Sequence, residues 1–256
     1  MRIVVIGGSG LIGSRLTALL RTHGHEVVAA SRRTGVDVLT GAGLADALTG
    51  ADVVVDVTDT PSFEPQAALD FFTTATTTLL DAERAAGVRH HVALSVVGID
   101  REPQEGYRRA KVAQEALVVA SGVPFTILRA TQFFEFLRAI ADGSTTGDEV
   151  RVTPAALQPV AADEVVALLA ELVVAPPRGG VVELAGPEAL GLDVLVGRVL
   201  AAAGDTRTVV ADPAAGYFGV VIHDSSLTAG PATRLGGTTL AEWLGAPLAA
   251  AGNRAG

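Results

Sequence analysis

The 256-residue chain has no cysteine, a single lysine, a single tryptophan and only two tyrosines. Without cysteine it can form no disulfide, carry no thiolate nucleophile and offer no sulfur ligand to a metal. Its five histidines are dispersed except for His90 and His91. On a strand those two side chains point to opposite faces and cannot chelate one ion together, so no metal is expected. No stretch reaches the roughly 18 apolar residues of a membrane helix, and the apolar start from Arg2 to Ile6 runs into glycines without a signal-peptide cleavage pattern. A soluble cytoplasmic protein without a membrane partner is expected. The net charge of −9, with scattered arginines, gives no footprint for nucleic acid.

Apolar residues make up 49% of the chain, enough for a full core in one domain spanning residues 1–256. Short β-branched runs alternate with helical patterns. Strands are predicted over Arg2 to Ile6, Glu26 to Ala30, Val36 to Leu39, Asp52 to Val57, Arg89 to Val96 and Pro124 to Arg129. Helices are predicted over Leu11 to Thr22, Leu44 to Leu48, Glu64 to Ala86 and a segment holding Tyr107 and Lys111 that Gly122 closes. This alternation implies an α/β fold with a parallel sheet covered on both faces. Beyond residue 131 the rhythm loosens, with helices near 133–141, 162–173 and 192–203 and strands near 150 and 181–184. Residues 1–130 are therefore read as the ligand-binding core and 131–256 as a part laid over the carboxyl edge of the sheet. The Ala/Gly-rich tail from about Ala249 is expected to fray.

Between the first strand and first helix stands Gly7-Gly8-Ser9-Gly10-Leu11-Ile12-Gly13. It fits GxGxxG through Gly8, Gly10 and Gly13, and GxxGxxG through Gly7, Gly10 and Gly13. In either register glycine permits a tight turn and a close approach of backbone to a pyrophosphate, and the helix N-terminus presents N–H groups to it. This is a Rossmann-type, doubly wound arrangement in which Gly7, Ser9, Gly10, Leu11, Ile12 and Gly13 would bind a dinucleotide. An NAD site commonly offers a carboxylate after the second strand; here stand Ser31, Arg32 and Arg33. A hydroxyl and two guanidiniums suit a 2′-phosphate, so NADP(H) is favoured, with Asp37 a weaker candidate for the adenine edge.

Every basic side chain other than Lys111 is arginine, eighteen in all. Lys111 follows Tyr107 by four residues, a spacing that sets phenol and ammonium on one helix face. A cation there is expected to lower the phenol's pKa and make Tyr107 a proton donor and acceptor near neutral pH.

The GxxGxxG loop, Ser95 in Ala93-Leu94-Ser95-Val96-Val97-Gly98 and Tyr107-x-x-x-Lys111 together resemble the short-chain dehydrogenase/reductase superfamily. The missing acid after the second strand, Leu94 to Gly98, Pro124 to Arg129 and Pro159-Val160-Ala161 are similar to its atypical, NmrA-like NAD(P)-binding branch. The resemblance covers residues 1–205. It implies an oxidoreductase in which Tyr107 protonates a carbonyl oxygen as hydride arrives. Lys111 would hold the nicotinamide ribose, and Ser95 would hydrogen-bond the substrate. It also implies that Thr58 and Thr131 meet the cofactor. One departure is Thr58-Asp59-Thr60 where typical members carry an Asn-Ala-Gly signature that supports a proton relay.

Three of the eight phenylalanines fall in the segment from Arg129 to Phe136. With Thr60, Phe63, Gln132 and Phe133 as walls, the pocket would take a flat, largely apolar small-molecule substrate, a carbonyl or a quinone. The main alternative is an NADP(H)-sensing regulator without turnover; epimerase or dehydratase chemistry is a third. A homodimer is the open alternative to a monomer.

Overall fold

The computed structural model describes residues 1–101 and 105–246. The tail from Ala249, expected to fray, lies outside the described residues. In chain order the first half contains β1 (Arg2–Ile6), α1 (Leu11–Thr22), β2 (Glu26–Ala30), α2 (Leu44–Leu48) and β3 (Val53–Asp56). It continues with α3 (Pro65–Ala86), β4 (His90–Val96), α4 (Gly106–Ala120) and β5 (Phe125–Ala130). Then follow α5 (Leu137–Gly143), β6 (Thr145–Thr146), β7 (Glu149–Val152), β8 (Ala156–Leu157) and α6 (Ala162–Val174). The last third holds β9 (Gly180–Ala185), β10 (Leu190–Gly191), α7 (Leu192–Ala202), β11 (Thr208–Ala211), β12 (Arg234–Leu235) and α8 (Leu240–Gly245).

Seven strands form one parallel sheet in the order β12-β9-β5-β4-β3-β1-β2. The α/β, Rossmann-type fold is as the alternation of elements implies. Chain direction across the sheet reverses between β1 and β3, and ligands of open α/β sheets bind in the crevice at such a point.

Period-two alternation explains how both faces are covered. Ile3 and Val5 of β1 face a cluster with Ile12, Leu16 and Leu20 of α1 and Val165, Val166 and Leu169 of α6. Val4 and Ile6 face the other way, toward Leu44 and Leu48 of α2 and Leu79 of α3. At about 25 cal/mol per Å² of apolar surface, such fully buried side chains contribute roughly 1.5–3 kcal/mol each before entropy is subtracted.

The part after residue 131 does two things. β9 and β12 extend the main sheet, whereas α5, α7 and α8 surround a small three-stranded sheet ordered β11-β7-β6, with Phe134, Leu195, Val196 and Leu240 in its core.

One predicted strand is absent. Residues 36–39 leave a 3-10 turn (Arg32–Thr34) through Gly35, which is left-handed at φ 84°, and enter a loop. There Asp37 N–H donates to Ala42 O, Gly41 N–H to Asp37 O and Leu39 N–H to Asp37 Oδ1. The carboxylate and turn carbonyls take the donors that a sheet ladder needs, so the β-branched pair Val36 and Val38 does not extend.

Candidate functional site

Most of the candidate residues sit where strands end or helices begin, toward the carboxyl edge of the sheet, with Thr60 and Phe63 in the loop after β3 and Lys111 in the second turn of α4. At the glycine loop the packing is backbone on backbone. A Cβ on Gly13 would lie 2.2 Å from Gly7 O, and one on Gly7, at φ 81°, would lie 2.7 Å from Val57 O beyond β3. Helix α1 starts at Gly10 with no side-chain cap and no acid in its first turn. Its first N–H groups and positive dipole end therefore remain for an anion. Arg33, on the turn after β2, donates to Ser9 O at 2.8 Å and so lies against the loop. Ser31 and Arg32 stand on the same turn, where Ser31 N–H donates to Thr34 Oγ1 at 2.8 Å.

Further along the edge, three candidates carry buried polar atoms without a hydrogen-bond partner: Ser95 Oγ near the end of β4, Thr131 Oγ1 just after β5, and Gln132 Oε1. Buried hydroxyls and amides are almost always satisfied, so three unmet ones at the carboxyl edge are groups that a ligand's polar atoms could meet. The close glycine cradle, the uncapped helix and these atoms together suit a dinucleotide.

Behind the edge lies a buried polar chain. Asp56, at the end of β3, accepts at Oδ1 from Thr58 N–H (3.0 Å) and Thr58 Oγ1 (2.7 Å), and at Oδ2 from Gln114 Nε2 (3.0 Å). Gln114 Oε1 accepts from Lys111 Nζ, which also donates to Leu94 O at 2.9 Å and lies 4.5 Å from the centre of the Phe72 ring. Lys111 is 2% exposed. Burial lowers its pKa, opposed by the carboxylates of Asp56, Asp59 and Glu115. The candidates Lys111 and Thr58 are thus joined through Gln114 and Asp56.

Tyr107, in the first turn of α4, shares Phe72 with Lys111, its ring 5.6 Å away edge-on. The face-sharing that i,i+4 spacing predicts is present. The electrostatic consequence expected from it is not. Tyr107 Oη donates to Asp59 Oδ1 at 3.0 Å, and its pKa lies well above the ordinary tyrosine value, first because it is buried and next because the Asp59 carboxylate stands beside it. The ammonium is directed to Leu94 O and Gln114, so the nearest charge to the phenol is negative.

Phe63 packs on Tyr107 at 5.6 Å, and Phe218 stacks on Phe63 at 5.0 Å with the planes 25° apart. Phe218 comes from a hairpin closed by reciprocal bonds between Tyr217 and Val220, and it alone among the described non-glycine residues has a positive φ, 48°. Thr60 is fixed by its own loop, with N–H to Asp59 Oδ1 and Oγ1 to Ser62 O. Phe133 stacks instead on Phe136 at 5.4 Å, where the chain bridges to Val160. Sequence reasoning missed Asp59, Tyr217 and Phe218. Only the oddity of Thr58-Asp59-Thr60 pointed at the first, and no spacing linked the other two to Tyr107.

Three arginines of this edge, Arg101, Arg108 and Arg129, are engaged. Arg129 forms a two-pronged pair with Glu115 (2.9 and 2.7 Å) and reaches Asp100 at 2.6 Å. Arg101 donates to Ser225 O and Thr228 O, and Arg108 to Gly98 O and Arg101 O. These bonds tie the loop after β4 to the segment 225–228. Gly98 there, at φ 80°, approaches Ser226 O so closely that a Cβ would lie 2.2 Å from it.

His90 and His91 diverge as their strand position requires: His90 Nε2 meets Thr126 Oγ1 at 2.9 Å, and His91 Nδ1 meets Glu83 Oε1 at 2.8 Å in the core. Among the described residues no helix is long and apolar enough to cross a membrane.

Solved structures share the fold. A short-chain dehydrogenase/reductase superfamily protein from Agrobacterium tumefaciens with bound NAD superposes with a TM-score of 0.70 at 20% identity, over 96% of this chain and 95% of that one. RMD from Pseudomonas aeruginosa complexed with NADPH gives 0.66 at 18% identity, over 95% and 96%. UDP-glucose 4-epimerase of Thermus thermophilus in complex with NAD gives 0.65 at 20%, over 82% and 86%. Among curated proteins, the photosystem II assembly factor Ycf39 of Cyanophora paradoxa is 24% identical over 151 residues, 54% of this chain and 47% of that protein. The epimerase family protein SDR39U1 of Bos taurus is 52% identical over 40 residues, 16% and 14% of the two chains. The chain thus spans about half the length of the first of these relatives and a seventh of the second. The sequence profile described as "NAD dependent epimerase/dehydratase family" matches residues 3–168, well over half of the chain, in the stretch that carries the glycine loop, Ser95, Tyr107 and Lys111. The protein belongs to the NAD dependent epimerase/dehydratase family.

Proposed function

We propose that the protein is an atypical short-chain reductase that uses NADP(H) to reduce a carbonyl or quinone on a small, largely apolar substrate. The observation that carries this reading is the phenol of Tyr107, kept protonated beside Asp59 at the same sheet edge as the unmet hydroxyl of Ser95. A proton donor and a fixed polar group are what an oxygen becoming an alkoxide requires.

When bound, the reduced nicotinamide supplies the hydride. The chain's residues do the rest. Gly7, Ser9, Gly10, Leu11, Ile12 and Gly13 present backbone to the pyrophosphate, while Ser31, Arg32 and Arg33 hold the 2′-phosphate. Thr58 and Thr131 line the nicotinamide end. Lys111 spends two of three donors on Leu94 O and Gln114 and keeps one for a ribose hydroxyl. Ser95 orients the substrate oxygen and Tyr107 protonates it. Thr60, Phe63, Gln132 and Phe133 form the walls. An apolar substrate suits this site better than a nucleotide sugar, because Arg101, Arg108 and Arg129 already bond protein oxygens and carboxylates.

A second reading, an NADP(H)-sensing NmrA-like protein without turnover, is favoured by one observation. The Tyr107 hydroxyl is donated to Asp59 and covered by Phe63, which itself lies under Phe218. NADPH oxidation by wild type and Tyr107→Phe, against quinones and aromatic ketones and with NADPH affinity measured in parallel, separates the two. A reductase loses about 10²–10⁴-fold in turnover on this change and keeps its affinity. Tight NADPH binding with no turnover by either protein selects the sensor.

A further inference from the structure

If Tyr107 is the acid of a reductase, its phenol must regain a proton after every turnover. Among the described residues, the hydrogen bond of its hydroxyl goes to Asp59. The rings of Phe63 and Phe72 each lie 5.6 Å from that of Tyr107, and Tyr217 and Phe218 pack edge to face beyond Phe63. The Asn-Ala-Gly signature that supports a proton relay in typical members is missing, and Lys111 is turned to Leu94 O and Gln114 in the core. Asp59 accepts the Tyr107 O–H at 3.0 Å, is held in place by Thr60 N–H at 2.8 Å and is itself exposed. A half-buried phenol flanked by rings is therefore hydrogen-bonded to a carboxylate in contact with water.

We propose that Asp59 is the positioning and proton-relay residue of Tyr107, holding the phenol as a donor and returning a proton to it from solvent. The proposal rests on the reductase reading. During a turnover the hydride carries its electron pair from a reduced nicotinamide to the carbonyl carbon. The Tyr107 O–H bond breaks as the substrate O–H bond forms. The Asp59 carboxylate then takes a proton from water, and its new O–H bond breaks as that of Tyr107 re-forms, which leaves Asp59 a carboxylate again. One hydride and one solvent proton are consumed for each carbonyl reduced.

The charges around the phenol fit this division of labour. Asp59 on the loop after β3, Asp56 at the end of β3 and Tyr217 on the hairpin all oppose its ionisation, and Lys111 on α4 is the cation nearest along its own helix face. While Asp59 is charged, a tyrosinate beside it is disfavoured, so Tyr107 waits protonated. Once Asp59 carries a proton, that opposition is gone and it becomes a donor.

Only two tyrosines are present, so Tyr217→Phe leaves Tyr107 as the single phenol, whose ionisation can be followed by ultraviolet difference absorbance. In that background Asp59→Asn is expected to lower the pH of ionisation by about one unit or more, a tenfold change in the equilibrium. An unchanged titration overturns the proposal. In a second measurement, Asp59→Ala is expected to slow carbonyl reduction about 10- to 100-fold with little change in KM, and added formate is expected to restore part of the rate. Wild-type turnover in Asp59→Ala, or a loss that formate leaves untouched at every pH, overturns the relay. Absence of wild-type turnover together with a shifted titration overturns the reductase reading instead, and with it the turnover part of the relay, while the Tyr107–Asp59 coupling stands.

Discussion

At the glycine loop the contacts that matter join backbone to backbone, whereas around Tyr107 nearly every contact is made by a side chain. Gly13 could not bear a Cβ without striking Gly7 O at 2.2 Å, and no titratable group is needed to explain the shape of the turn. Tyr107, Asp59, Lys111, Gln114 and Asp56 instead form hydrogen bonds that depend on protonation and on two layers of rings. A steric cradle tolerates no change of volume but is indifferent to pH. A network of buried polar groups has the reverse sensitivities.

The largest effect that would test this contrast is expected at the loop. Gly13→Ala should abolish dinucleotide binding and cost about 3 kcal/mol of stability, because backbone must move to admit the methyl group. Calorimetric titration with NADPH and urea unfolding of the same sample check it. A variant that binds normally would show that the cradle is looser than its geometry.

Next in size is a pH effect confined to the other side of the sheet. His90 is buried and neutral, its pKa depressed from 6.5 to about 4, first by burial and then by the adjacent His91. The unfolded chain therefore takes up a proton that the folded one refuses as pH falls from 6.5 to 4. Stability is full above that window and is lost within it, by about 3 kcal/mol at most. His91 runs the opposite way: burial lowers its pKa, but Glu83 outweighs this and the net shift is upward, so its contribution is lost as pH rises through the folded value. Urea midpoints across the window should fall in wild type, and less steeply in His90→Gln.

Lys111→Arg keeps the charge but forces a planar fork into a site that fits an ammonium above Phe72. A loss of about 2 kcal/mol in stability, with weaker cofactor binding, is expected. Wild-type stability and affinity would mean that the single lysine is not required by its surroundings. The smallest effect is on specificity. Replacing Arg32 and Arg33 together by Ala should weaken NADPH about tenfold relative to NADH, roughly 1.4 kcal/mol, as removal of charge-assisted phosphate bonds does. Equal losses for both cofactors would remove the 2′-phosphate assignment.

Much of the sheet was legible because its signals are local. Ile3 and Val5 against Val4 and Ile6 are separated by a period of two, and α3 is bounded by a Glu64 cap, Pro65 in the first turn and a left-handed Gly87. The segment from Val36 to Leu39 misled because its β-branched residues read as a strand, while Gly35 and the Asp37 carboxylate turned the chain. At the site, residue types and helix faces were legible, but the pairing was not. Four-residue spacing put Tyr107 and Lys111 on one face and suggested that they answer each other, yet each found a closer partner elsewhere.

By itself the sequence determined where most strands and helices of the first half run, where backbone must approach backbone at Gly7 and Gly13, and which side of α4 carries Tyr107 and Lys111. Those features follow from steric limits and periodicities within a few residues of each position. Only the tertiary structure decided that Asp59, 48 residues earlier in the chain, would hold the phenol and that Phe218 would stack over Phe63 beside it. Both arrive on loops at one edge of a parallel sheet. Their meeting is set by which strands lie side by side, and nothing in the local spacing of a chain encodes that order.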